Sequence, residues 1–130
     1  MNNMNQILWT PTQDQIGASQ MDAFRKQVNA RFHIKLKDYH ELHKWSVSNI
    51  ADFWKAIWGY MAIEFSSDYT KVVDDESKMP GAKWFEDARF NFAENLLRVR
   101  SHKPGIHFKG EGQPVRTVTY NELFAAVEKL

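Results

Sequence analysis

The chain has 130 residues, 17 of them basic and 16 acidic, for a formal charge of +1, so no surplus of either sign steers it to nucleic acid or to an anionic membrane. Hydrophobic residues make up 43% and charged residues 25%. That balance is ordinary for a globular domain and sets disorder aside. Cysteine is absent, which excludes disulfides, thiolate metal ligands and a thiol nucleophile, and agrees with a reducing, cytoplasmic location.

The opening Met1-Asn-Asn-Met-Asn-Gln6 has no basic stretch followed by an apolar one, so it does not read as a secretory leader. No apolar run approaches the ~18 residues that a membrane-spanning helix needs. The first predicted helix covers residues 20–32, with Ser19 as its cap, Asp22 completing a capping box, and Met21, Phe24 and Val28 on one face. A second starts at Asp38 and brings Tyr39, Leu42 and Trp45 to one side. A third is expected from Ser46 to Met61, capped by Ser48, because Ile50, Phe53, Trp54, Ile57, Trp58 and Met61 keep helical spacing.

Between residues 62 and 83 the pattern weakens, although Tyr69-Thr-Lys-Val-Val73 is β-branched enough for a short strand. Pro80-Gly81 then punctuates the chain. Asn91 and Glu94 suggest another cap, for a short helix carrying Phe92, Leu96 and Leu97 that ends before Pro104. Ile106 and Phe108 on one side of Gly110-Glu-Gly112, with Val115, Val118 and Tyr120 on the other, predict a β-hairpin. Thr119 and Glu122 then form a capping box for a helix bearing Leu123, Phe124, Val127 and Leu130. No Gly, Asn or Pro follows that helix and the hairpin has no third strand, so the chain reads as a segment of a longer one.

Candidate chemistry is sparse. His40 and His43 are three apart, whereas the H-E-x-x-H zinc motif needs four, and they read with His33 as surface histidines. Asp74-Asp-Glu76 is expected as a solvated acidic loop. Gly110-Glu-Gly112 lacks the G-K-[ST] of a phosphate loop and reads as a turn. Ser46, Ser48 and Ser101 lack the G-x-S-x-G context of a hydrolase nucleophile. Trp54 and Trp58 are expected to pack against another helix instead of stacking on a base. Arg98-Val-Arg100, near Lys103 and Lys109, is expected to complement the end of a helix.

Four segments in order carry a resemblance: Leu8-Trp9-Thr-Pro11; Tyr39-His-Glu-Leu-His-Lys-Trp-Ser-Val47 with Asp52-Phe-Trp54; Trp84-Phe-Glu-Asp-Ala-Arg-Phe-Asn-Phe-Ala-Glu-Asn-Leu-Leu-Arg98; and Thr119-Tyr-Asn-Glu-Leu123. Together they resemble the N-terminal region of acetoacetyl-CoA synthetases, within the adenylate-forming acyl-CoA synthetases. Asp87 departs from the pattern, where Gly is more usual, as do Phe90 for Leu and Phe92 for Tyr. The resemblance implies an α+β, mainly helical fold. Residues 1–100 would form the family's helical N-terminal segment, and residues 101–130, the hairpin and its helix, would open the nucleotide-binding domain.

It further implies a parent enzyme that uses ATP, Mg and CoA to activate acetoacetate. The family's catalytic motifs match no position here, so no catalytic, cofactor-binding or metal-binding residue is expected in the chain. The family-motif positions that carry over are structural: Trp45, Phe53, Trp54, Trp84, Phe85, Asn91 and Asn95. The expected partner is the remainder of the same polypeptide, with a tendency to dimerise through exposed apolar faces and no nucleic-acid or membrane partner. The competing readings are a free-standing helical interaction module and a small hydrolase or metalloenzyme.

Overall fold

The structure is a computed structural model and describes residues 8–130. Among them are six helices and two small antiparallel sheets: α1 (Gln13–Gly17), α2 (Gln20–Phe32), α3 (Tyr39–Ser48), α4 (Ile50–Tyr60), β1 (Lys71–Val73), β2 (Trp84–Glu86), α5 (Phe92–Leu96), β3 (Pro104–Phe108), β4 (Arg116–Thr119) and α6 (Tyr120–Val127). This is the α+β, mainly helical arrangement that the sequence predicts.

Four helix starts are fixed as their cap residues dictate, because the first N–H groups of a helix have no partner within it. Ser19 Oγ accepts from Asp22 N at 3.1 Å, Asp38 Oδ1 from Glu41 N at 2.9 Å, and Asn91 Oδ1 from Ala93 N at 2.9 Å. Thr119 and Glu122 form the full reciprocal box. Asp22 does not complete a box with Ser19. Its carboxylate instead meets Arg25 at 2.5 Å and Lys26 at 2.8 Å, longer partners that its short side chain can reach on its own helix. A further box, Thr12 with Gln15, starts α1, a helix the sequence reading passed over.

The helix expected over residues 46–61 is two helices. Ser46 and Ser48 belong to α3, and Asn49 breaks the run with φ −138° and ψ 60° while its side chain donates to Trp45 O at 3.0 Å. Helical spacing continues through the break, so periodicity alone cannot register it. Asn49 makes no side-chain cap for α4. Glu76 supplies the acceptor instead, taking a hydrogen bond from Ala51 N at 3.1 Å. Tyr120, expected in the hairpin, is the first residue of α6, because the Thr119 box turns the chain helical one residue earlier.

The contacts gather into two compact units that alternate along the chain: Met1–Ala62 with Lys71–Glu86, and Ile63–Thr70 with Asp87–Leu130. In the first, α2, α3 and α4 enclose Phe24, Val28, Leu42 and Ala56. Val28 is wholly buried, and the Phe24 ring meets Phe53 and Tyr60 edge-on at 6.0 and 5.1 Å. Asn29, on α2, closes the turn that follows: its amide donates to Leu36 O at 2.9 Å and accepts from Leu36 N at 2.8 Å. β1 pairs with β2, Lys71 opposite Glu86 and Val73 opposite Trp84.

In the second unit β3 pairs with β4, with an irregularity between Pro104 and Ile106. Gly110 O accepts from Gln113 N at 3.1 Å, and Gly112 stands third in that turn at φ 69°, a conformation favourable to glycine. Arg100 complements the end of α5, as expected, by a direct hydrogen bond to its C-cap residue. It donates to Leu97 O at 2.5 Å and lies over the Phe124 ring of α6, where a guanidinium is attracted to the ring face.

Candidate functional site

The family-motif residues sort into two structural devices. The first is an aromatic seam on α4. Trp54 and Trp58 are one helical turn apart and so share a face. Trp84 meets Trp54 edge-on at 5.9 Å, and Phe85 stacks on Trp58 at 4.7 Å and 27°. Their partner is therefore strand β2, not a helix as the sequence suggested. Successive residues of a strand point to opposite faces, yet Trp84 and Phe85 both meet α4. Phe85 does so with φ 48°, a left-handed conformation that interrupts the alternation. Phe53, on the same helix, faces Trp54 at 5.4 Å and Phe24 at 6.0 Å. Trp45 sits against Phe32 at 5.1 Å.

The loop that joins β1 to β2 is the largely exposed acidic stretch expected, but its carboxylates are held by specific donors. Asp74 is its hub: Oδ2 accepts from Lys78 Nζ at 2.8 Å, and Oδ1 accepts from Lys83 N and Asp75 N, each at 2.8 Å. Asp75 Oδ1 accepts from Ser77 N and Ser77 Oγ, and Glu76 holds α4 as described. The Lys78 ammonium, followed by the Lys83 N–H, lowers the Asp74 carboxyl from its ordinary 3.8 to about 2. A carboxyl whose pKa falls on folding adds stability above the unfolded value, and that contribution is lost as the pH drops through the folded one. Amide protection in the 71–86 hairpin is thus expected to hold above about pH 4 and to decline between pH 4 and 2. Asp74→Asn weakens this dependence, leaving the part that the lowered Asp75 carboxyl contributes; hydrogen exchange across that range is the check.

The second device is built on asparagine. Asn91 caps α5, and Asn95, one turn later, reaches Glu64: Oδ1 accepts from Glu64 N and Nδ2 donates to Glu64 O, both at 2.8 Å. Nδ2 also donates to Asn91 O at 3.0 Å. A side-chain amide thereby pairs with a distant backbone residue as a neighbouring strand would, just as Asn29 pairs with Leu36. Close by, Arg89 and Ser67 exchange backbone hydrogen bonds. Asp87 stands at φ 67° and accepts from Thr70 Oγ1 at 2.6 Å. A left-handed position suits Gly, the residue that the resemblance leads one to expect here, and Asp is among the residues that tolerate it. Asp87→Gly should leave stability within roughly 0.5 kcal/mol, strain relief offsetting the lost hydrogen bond, whereas Asp87→Val should cost about 2 kcal/mol. Urea midpoints of the two variants separate the effects.

Neither device is reactive chemistry. His40 and His43 are exposed beside Tyr39. Among the described residues, no group of three or more His, Asp or Glu is placed to hold a metal ion, and no helix is long and apolar enough to cross a membrane. The structure places five of the motif positions, Trp45, Phe53, Trp54, Trp84 and Phe85, in the first unit and Asn91 and Asn95 in the second. Asn29, Glu76 and Asp74 complete these devices; the sequence did not single out Asn29, and it marked the two acids without their partners. Their partners lie 7, 25 and 9 residues away, beyond any helical or strand period.

Residues 39–96 match the family model of the acetyl-coenzyme A synthetase N-terminus. Acetoacetyl-CoA synthetase of Macaca fascicularis is 36% identical over 121 residues, which cover 91% of this chain and 18% of the relative. The acetoacetyl-coenzyme A synthetase of Rhizobium meliloti (strain 1021) is 36% identical over 123 residues, 95% of this chain and 19% of the relative. Malonamoyl-CoA synthetase of Penicillium aethiopicum is 41% identical over 93 residues, 71% of this chain and 13% of its own. The solved acetoacetyl-CoA synthetase from Streptomyces lividans matches 91% of this chain and 19% of its own at a TM-score of 0.78 and 35% identity. The chain thus spans less than one fifth of the length of these relatives. In sequence and in fold alike, it matches the N-terminal region of acetoacetyl-CoA synthetases.

Proposed function

We propose that this chain is the non-catalytic N-terminal part of an ATP-dependent, AMP-forming acid–thiol ligase that makes acetoacetyl-CoA. In the parent reaction the acetoacetate carboxylate attacks the α-phosphate of ATP, giving acetoacetyl-AMP and releasing pyrophosphate. The CoA thiol then attacks the acyl carbon and AMP leaves. ATP, CoA and the Mg that accompanies ATP are handled by residues outside this chain. Residues 1–100 serve as the family's helical N-terminal segment, and 101–130 open the nucleotide-binding domain of a cytoplasmic enzyme.

The observation that carries this reading is the Streptomyces lividans match: 91% of this chain lies on 19% of that enzyme. Large apolar side chains left exposed, among them Leu8, Trp9, Phe92 and Leu96, support the remainder of the polypeptide as the partner, with self-association of the isolated chain as the alternative way to cover them. Acetoacetate and malonamate, the acids implied by the relatives' names, share a carbonyl carbon β to the carboxylate carbon, which favours a short β-carbonyl acid over acetate.

The test is exchange of labelled pyrophosphate into ATP by the full-length parent, offered acetoacetate, malonamate, acetate and butyrate separately, with this chain alone as control. Exchange chiefly with acetoacetate, and none by the isolated chain, is the expected result. Exchange chiefly with another acid overturns the substrate, and exchange with none of them overturns the ligase in favour of a free-standing helical interaction module.

A further inference from the structure

We draw no further inference here: the strongest candidate, the apolar groove of about 480 Å³ between the end of α3, α4 and the Met79-Pro80 loop, lined by Val47, Ile50, Trp54, Met79 and Trp84, carries nothing because nothing in the structure shows what covers it.

Discussion

Phe24→Ala is expected to destabilise the chain by about 3–5 kcal/mol, the usual cost of removing a buried aromatic ring. Phe24 is 5% exposed and is the ring on which α2 and α4 meet, through Phe53 and Tyr60. Truncation removes both edge-to-face contacts and leaves a hole bounded by Val28 and Ala56, which α3 and α4 can close only by moving. Urea unfolding followed by helical circular dichroism reads the loss. Met21→Ala provides the internal comparison. Met21 and Phe24 share a helical face by spacing, but Met21 is 49% exposed, so its truncation should cost less than about 1 kcal/mol. Equal losses for the two variants would mean that the helices do not pack around Phe24.

Asn95→Leu keeps the size of the side chain and removes every hydrogen bond it makes, to Glu64 N, Glu64 O and Asn91 O. At about 1 kcal/mol for each net hydrogen bond, and with Glu64 exposed so that water can replace part of what is lost, a destabilisation of about 2–3 kcal/mol follows. Asn95→Asp is the sharper variant. It retains an acceptor for Glu64 N but faces Glu64 O and Asn91 O with a carboxylate that has no proton to give. Near neutral pH it should be at least as damaging as Leu, and it should recover on acidification as the carboxyl protonates and can donate again. Hydrogen exchange should show the loss at residues 63–70, around the Glu64 backbone. Protection of that segment unchanged in both variants would remove Asn95 from any structural role.

Local signals were legible in the sequence because they act within one helical turn. Ser19, Asp38, Asn91 and Thr119 cap helices where their residue types and spacing place them, and helix 20–32 has the predicted bounds. The resemblance also names Trp84, Phe85 and Asn95, whose partners Trp54, Trp58 and Glu64 are distant in sequence. What stayed hidden has a common physical cause. The break at Asn49 keeps the hydrophobic phase of the helix it interrupts, so a periodic pattern runs through it. Strand β2 is three residues long and gets its definition from Val73 and from the tryptophans of α4, none of which is near it in sequence. The acidic loop is largely exposed, as its composition suggests, but its order was hidden because two of the donors that organise it, Lys83 N and Ala51 N, are backbone groups, and every sequence contains those. Asn29 was similarly hidden inside a helix whose polar residues are normally read as solvent-facing.

The alternation of the two units along the chain sets the order in which a ribosome could complete them. A helical core of residues up to 62 would emerge first, but β1 and β2, which bring Glu76 to α4 and Phe85 to Trp58, end only at Glu86. At roughly 5–20 residues per second, Trp58 waits about one to five seconds for its cover. Residues 63–70 emerge ahead of that cover and wait longer, because Asn95 is synthesised later still. The first unit can close once Glu86 is made, but the second is by then only begun, so between residues 63 and 86 the nascent chain passes through an interval in which both hold open apolar surface at once.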